Sequence, residues 1–235
     1  MNEDKEIQKY VDDTSNILLK TLRSLAEGIT GIVASEKREL LVSIGHLFQK
    51  MRAGYILSEL LNEWDKLKEK GRIKDDYCFT EQHHNCLHEL LDFLDKDIPD
   101  EIRLSALKKI LLVAATEEVS DRNSFLPHQY MKLCRNLTSG EMYLILTSYK
   151  LSKSDKWKEE EHHSAASWCK HIVNNSDFKY REMVEIHEDE LIRKKLLTGR
   201  LHPDSSGIKM TEHFRLTELG YQLCEFIDKY DQIEY

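Results

Sequence analysis

Three histidines, two cysteines and one glutamate lie within the segment Cys78–His88, where the sequence first offers residue types suited to chemistry. On a helix, Glu81, His84 and His88 would share one face, and histidines four residues apart can bind a single metal ion. The HExxH arrangement of many zinc enzymes is absent, because no glutamate follows His84. A solvated helix face beside a leucine stripe explains the same residues. We therefore predict no metal here, and a metal-dependent hydrolase built on Glu81, His84 and His88 is an alternative.

Two further groups of ionisable residues could support acid–base chemistry. Glu117 and Glu118 could form an acidic pair, but nothing in the sequence marks a pocket around them, and a helix end explains them. The run Glu159–His163 ends in two adjacent histidines, which a helix directs about 100° apart, so they cannot serve one compact site. The patterns GxxxxGK[ST] and GxGxxG, which bind nucleotide phosphates, do not occur. We therefore predict no catalytic residue and no cofactor.

One short stretch, residues 193–215, has a positive net charge, whereas the chain as a whole is acidic. It contains six basic residues, namely Arg193, Lys194, Lys195, Arg200, Lys209 and Arg215. On a winged helix these cations would lie on the recognition helix and the wing and could contact phosphates, so nucleic acid is a possible partner of residues 188–215. Basic residues that compensate a helix dipole are the alternative interpretation. Glu188, Asp189 and Glu190 occupy the predicted helix start, which would approach base edges, and they argue against tight DNA binding.

The composition of the 235 residues predicts a mostly helical chain with its own hydrophobic core. Hydrophobic residues make up 40%, and only 3 prolines and 9 glycines occur, too few for a turn-rich β fold. The net charge of -8 disfavours non-specific binding to nucleic acid or to an anionic membrane. No apolar run reaches the ~20 residues that span a bilayer. We therefore expect no membrane association.

The cysteines and the first residues indicate the compartment. The five cysteines are scattered and form no CxxC pair, as expected for reduced thiols that pack as small hydrophobic groups. The N-terminal residues MNEDKEIQKYVDD are acidic and lack the apolar segment of a signal peptide. We therefore expect a cytoplasmic protein.

Apolar periodicity predicts a first domain over residues 1–137. This domain is a helical bundle that starts with a long antiparallel hairpin. The two helices of the hairpin are predicted over residues 4–29 and 35–70, and Gly71 ends the second. The apolar run at residues 110–115 should be the most buried part of the bundle.

The second predicted domain covers residues 138–235 and is winged-helix-like. It opens at Thr138 and Glu141, which have the spacing of a capping box. Its predicted elements are, in order, a helix over 139–151, a helix over 161–173, a helix over Glu188–Leu197, a strand over Ile208–Phe214 and a final helix after Thr217. The fold class is therefore mainly α, an N-terminal helical hairpin or bundle followed by a winged-helix-like module with a short β-hairpin.

Four segments of the chain share features with one bacterial family. They are the apolar helix Leu104–Ala115, the segment Phe125–Met142, the leucine-rich Leu191–Leu201 and the ending Phe214–Phe226. Over about residues 105–230 the chain thereby resembles the Abi-alpha group of bacterial abortive-infection proteins. The resemblance implies a helical bacterial protein linked to phage defence, and it carries no assigned catalytic residue.

Abundant helix signals and missing catalytic motifs lead to one functional hypothesis. We expect a non-enzymatic helical interaction or regulatory protein associated with bacterial phage defence. It would bind a protein partner, or a second copy of itself, through its N-terminal helices. A winged-helix DNA-binding transcriptional regulator that uses residues 188–215 is the first alternative, and the metal-dependent hydrolase is the second.

Overall fold

The structure is a computed structural model, and it is mainly α-helical, as predicted. It describes residues 55–56, 59–74, 77, 80–96, 100–116, 125–154, 164–201 and 207–233. The predicted helix over residues 4–29 lies outside the described residues, and of the predicted helix over 35–70 only residues 55–56 and 59–70 are described. The N-terminal hairpin proposed as a partner surface therefore stays a prediction. None of the described helices is long and apolar enough to cross a bilayer.

The described residues contain eight helices, which are labelled in chain order. They are α1 (59–69), α2 (Glu81–Lys96), α3 (Glu101–Thr116), α4 (Leu126–Arg135), α5 (Ser139–Ser152), α6 (Ala165–Asn174), α7 (Arg181–Arg193) and α8 (Glu218–Ile233).

The chain divides into two compact units. The first contains the residues up to Ile73 together with Leu91–Ile98, and the second contains Lys74–Leu90 together with Pro99–Tyr235. The domain boundary predicted between residues 137 and 138 lies inside the second unit and stays a prediction.

Gly71 ends α1 as the sequence predicts. Its φ is 66°, in the left-handed region that favours glycine. The amide of Gly71 donates to the carbonyl of Lys68 and the amide of Arg72 to that of Leu67, both at 2.9 Å. This pair of bonds is a Schellman motif, which satisfies carbonyls at the helix end.

Side-chain caps fix where the next helices begin. Thr80 Oγ1 accepts a hydrogen bond from the amide of His83 at 3.1 Å, which starts α2. Asp100 Oδ1 accepts from the amide of Arg103 at 2.9 Å, which starts α3. Each of these helices therefore begins directly after a short polar residue that caps it.

The capping box predicted at the start of α5 is confirmed. Thr138 Oγ1 accepts from the amide of Glu141 at 3.3 Å, and Glu141 Oε2 accepts from the amide of Thr138 at 2.7 Å. Two amides that would lack partners inside the helix are thereby satisfied.

The bounds of α7 differ from the helix predicted over Glu188–Leu197. The helix begins at Arg181 and ends at Arg193. The prediction took the acidic run as the helix start. The chain leaves the helix earlier, because Lys195 adopts a φ of 62° and so takes the left-handed position that a glycine usually occupies.

Isolated antiparallel bridges, and not extended strands, join the segments around α6 and α7. The bridges pair Ser164 with Gly207, Leu197 with Leu216, and Arg200 with Ile208. The strand predicted over Ile208–Phe214 does not form, since Ile208 makes only an isolated bridge and residues 212–215 form a turn. In this turn Phe214 and Arg215 have φ values of 51° and 70°.

α3 is the central helix of the second unit. It packs against α4, α5 and α8. All residues from Ile110 to Ala115 are buried, as the apolar run predicts. α5 packs in turn against α6, α7 and α8, so these helices share one core.

α8 begins where the sequence predicts, because Thr217 Oγ1 accepts from the amide of Gly220 at 3.1 Å. Its buried face consists of Leu223, Phe226, Ile227 and Tyr230, whereas Leu219 is 39% exposed.

Candidate functional site

The side chains beneath α7 form a buried ion network. Glu188 lies in the middle of α7 with no exposed surface. Its carboxylate accepts hydrogen bonds from Nε and Nη2 of Arg200 at 3.2 and 2.7 Å, and Nη1 of Arg215 lies 2.8 Å from its Oε1. The sequence pattern predicted Glu188 at an exposed helix start. The structure corrects this, and the two guanidiniums supply the partners that a buried carboxylate needs.

Arg215 is an interior residue whose guanidinium contacts a carboxylate, a backbone oxygen and an aromatic ring. Its Nη2 donates to the backbone oxygen of Thr198 at 2.8 Å. Its guanidinium carbon lies 4.4 Å from the centre of the Trp168 ring, a geometry suited to cation–π attraction. The left-handed backbone at Phe214 and Arg215 costs roughly 1–2 kcal/mol per residue. These contacts and the ion pair with Glu188 offset that cost.

The network holds Glu188 ionised. Burial opposes ionisation of this carboxyl, but the hydrogen bonds from Arg200 and the charge and hydrogen bond of Arg215 outweigh it, so the pKa of Glu188 is lowered. Cys169 lies beside it, with Sγ 3.9 Å from Oε2 of Glu188. Burial, and then the charge of Glu188, raise the pKa of the Cys169 thiol to about 12. This thiol therefore stays protonated and is unsuited to nucleophilic chemistry.

The six basic residues of the predicted nucleic-acid contact lie in different environments. Arg215 leaves the set, because its buried guanidinium has no surface with which to reach a phosphate. Arg200 pairs with Glu188 and keeps 21% of its side chain exposed. Lys194 Nζ lies 2.6 Å from Oε2 of Glu141, the carboxylate of the capping box.

The other three basic residues are exposed. Arg193 pairs with Glu190 on the surface of α7, and Lys195 and Lys209 have exposed side chains. Contact between nucleic acid and these residues stays a prediction.

The outer face of α7, which we define by Tyr180, Met183 and Ile186, exposes apolar side chains. Tyr180 is the N-cap residue and is 66% exposed, Met183 is 44% exposed and Ile186 is 59% exposed. Met183 and Ile186, three residues apart, lie along one side of the helix, and Tyr180 directly precedes its first residue. The opposite side of α7 buries Val184, Glu188 and Leu191.

Acidic side chains surround this outer face. Four of them lie within four residues of Ile186 along α7, namely Glu182, Glu185, Asp189 and Glu190. Sequence reasoning missed the outer face, because it began the helix at Glu188. The apolar pair Val184 and Leu191, seven residues apart, was the available signal that the helix starts earlier.

The histidine-rich segment is described from residue 80 onward. Glu81, His84 and His88 lie on α2 with exposed side chains. Among the described residues, no group of three histidine, cysteine or acidic side chains is placed to hold a metal ion. The acidic pair at residues 117–118 and the run at residues 159–163 lie outside the described residues.

A half-open groove lies between α3, α5 and α8 and has a volume of about 540 Å³. Ile102, Leu146 and Ile227 contribute apolar walls. The rim carries both signs, since Lys109 Nζ lies 2.6 Å from Oδ1 of Asp231. This mixture indicates no particular class of ligand.

Comparison of the chain with known protein families, curated proteins and solved structures gives no match.

Proposed function

We propose that this chain is a non-enzymatic interaction protein in which a winged-helix-like module presents α7 to a protein partner. The observation that carries the proposal is the outer face of α7, where Met183 and Ile186 are exposed among carboxylates. Contiguous exposed apolar side chains are typical of protein-binding surfaces, whereas carboxylates repel a phosphate backbone.

The order of elements in the second unit supports a winged-helix-like module. α5 is followed by the bridge residue Ser164, then by α6 and α7, then by paired segments and α8. Ser164 pairs with Gly207, while Arg200 pairs with Ile208, so one short segment before α6 joins a hairpin-like pair after α7. In such an arrangement α7 occupies the position of the recognition helix.

The distribution of charge favours a protein over nucleic acid as the occupant of α7. Arg200 and Arg215 bind the buried carboxylate of Glu188, and Lys194 binds Glu141. Cations that could neutralise phosphates are thereby engaged within the module. A winged-helix DNA-binding regulator is the second candidate, and the exposed Lys195 and Lys209 are the residues that favour it.

Site-specific crosslinking tests protein contact with α7. A photoreactive amino acid at Ile186 should give one discrete, protease-sensitive adduct in cells, because it replaces an exposed side chain at the centre of the outer face. The same amino acid at Lys170, an exposed position on α6, is the matched control. The adduct should disappear when Met183→Asp is added. Adducts that form equally at both positions, or that are nuclease-sensitive, would contradict the proposal.

Titration with DNA separates the two candidates. The purified chain should not bind a labelled duplex of about 30 base pairs at about 50 mM salt, where phosphate contacts are strongest. Salt-sensitive binding that is lost on Lys195→Glu would favour the DNA-binding regulator instead.

Phage defence is the biological setting that we propose, and it rests on the Abi-alpha resemblance. Expression of the chain in a bacterial host should lower phage plating efficiency, and Ile186→Glu should remove the effect. Plating that is unchanged by the wild-type chain across a phage panel would contradict this setting and would leave the crosslinking result untouched.

A further inference from the structure

We infer that the partner of α7 is a cationic amphipathic segment, in which arginines or lysines flank an apolar anchor that packs on Ile186 and Met183. This inference rests on the proposed function and names the class of partner that the outer face of α7 would select.

The shape of the surface limits the size of the apolar anchor. From Met183 to Ile186 the outer face of α7 extends about 4.5 Å along the helix axis, which matches about one turn of a partner helix. Ile186 is the most exposed apolar side chain within the helix itself. Met183, one turn earlier, is unbranched and adapts its shape to what it contacts. A short apolar stripe on the partner therefore suffices to cover both.

The charges around this stripe determine what must flank the anchor. Glu182 and Asp189 are exposed, one turn before and one turn after Ile186, and neither forms an ion pair within the described part of the chain. The hydrogen bond to Glu188 and, to a smaller extent, the charge of Asp189 raise the pKa of Arg200, so that guanidinium partly offsets Asp189. Glu190 pairs with Arg193, and Glu185 pairs with Arg181, which leaves four carboxylates against two guanidiniums on this helix surface.

The same charges disfavour other occupants. A second copy of the chain, paired about Ile186, would place Glu182 of one helix opposite Glu190 of the other. Such juxtaposition of like charges at an interface is costly. Nucleic acid and anionic membranes are repelled for the same reason. A cationic protein segment is the occupant that complements both the apolar stripe and its acidic surroundings.

Three fluorescent peptides test the inference on the full chain. Each is a designed amphipathic helix of about 16 residues, or about four turns, with the same leucine stripe. The flanking positions carry arginine in the first, glutamine in the second and glutamate in the third. Fluorescence anisotropy should give at least about tenfold tighter binding of the arginine peptide than of the glutamine peptide, and no binding of the glutamate peptide.

Paired variants show whether binding occurs at α7. Glu182→Lys with Asp189→Lys should abolish the preference for arginine. Asp65→Lys with Glu69→Lys on α1 changes the net charge equally at exposed positions and should leave the preference intact. Ile186→Asp should weaken binding of the arginine peptide at least about tenfold, because it removes the apolar contact.

The possible failures are distinguishable. Equal binding of all three peptides that is lost on Ile186→Asp would overturn the cationic preference and leave protein docking on α7 standing. Arginine-peptide binding that falls equally in both charge-reversal pairs would overturn the inference as non-specific attraction. Absence of binding by every peptide would also overturn it, and the crosslink at Ile186 would then decide the proposed function separately.

Discussion

α3 and α7 both pack in the core of the second unit, but different physical effects hold them. α3 buries nine residues, all of them apolar, so it is fixed by burial of hydrocarbon, which has no preferred direction. α7 buries Val184, Glu188 and Leu191, and the carboxylate among them is bound by two guanidiniums. A helix held by apolar burial alone tolerates small shifts along its axis and the exchange of one apolar side chain for another. A helix anchored by an ion pair keeps one register, because hydrogen bonds to a carboxylate are directional.

The largest expected effect comes from removing the buried carboxylate. Glu188→Ala leaves the guanidinium of Arg215 in the interior without its ionic partner, and we expect a loss of about 3–5 kcal/mol in the free energy of unfolding. Urea denaturation followed by circular dichroism measures this loss. Leu112→Met in α3, which conserves volume, is the control and should cost less than about 1.5 kcal/mol. Equal losses would remove the contrast between the two helices.

Acid should weaken the α7 anchor specifically. Because the pKa of Glu188 is lowered in the folded chain, this carboxyl binds fewer protons when folded than when unfolded. Its contribution to stability is therefore present above the unfolded pKa of about 4.3 and is lost as pH falls through the lower folded value. In Glu188→Gln the fall in unfolding free energy below about pH 4 should be shallower than in the wild type. Parallel curves would contradict the assignment.

A smaller effect is expected where α8 meets the segment that follows α7. A Cβ on Gly220 would lie 2.3 Å from the backbone oxygen of Leu196, so Gly220→Ala forces a backbone shift and should cost about 1–3 kcal/mol. Gly199→Ala is the matched control, since a Cβ there meets nothing within 4 Å. The melting temperatures of the two variants should therefore separate. Equal melting temperatures would show that the end of α7 can shift without a loss of stability.

The capping box should contribute less than either contact. Thr138→Ala removes the oxygen that accepts from the amide of Glu141, and we expect a loss of about 1 kcal/mol in chemical denaturation. Thr138→Ser keeps a hydroxyl at the N-cap and should retain most of the stability. A serine variant as unstable as the alanine variant would show that the methyl group, and not the cap, matters.

The smallest effect is expected at the surface of α3. The pair between Lys109 and Asp231 is partly exposed, so Asp231→Asn should change the unfolding free energy by less than about 1 kcal/mol. The change should shrink further at high salt, because screening weakens exposed ion pairs. A salt-independent loss as large as that of Glu188→Ala would break the distinction between the two regions.

Sequence reasoning succeeded where the determinant is local. The glycine that ends α1, the capping box at Thr138 and the cap at Thr217 each depend on a few consecutive residues, and each is confirmed. The apolar run of α3 was also visible, because burial on all sides leaves a continuous hydrophobic signature.

It failed where the deciding partner is distant in the chain. The residues around Glu188 have the pattern of an exposed acidic helix start. This carboxylate can be buried only because Arg200 and Arg215 bind it in the folded chain. Arg215 was grouped with surface cations for the same reason. The alternating segment Ile208–Phe214 predicted a strand, but the turn at residues 212–215 buries Phe214 without one.

Glu141 contacts a second helix in addition to the one that it caps. Oε2 of Glu141 accepts a hydrogen bond from the amide of Thr138 and also binds the ammonium of Lys194, which is the C-cap residue of α7. The first turn of α5 and the last turn of α7 are therefore coupled and should open and close as one cooperative segment. A mechanical load on α7 would be transmitted along this link into the packed interior, where α5 adjoins α3.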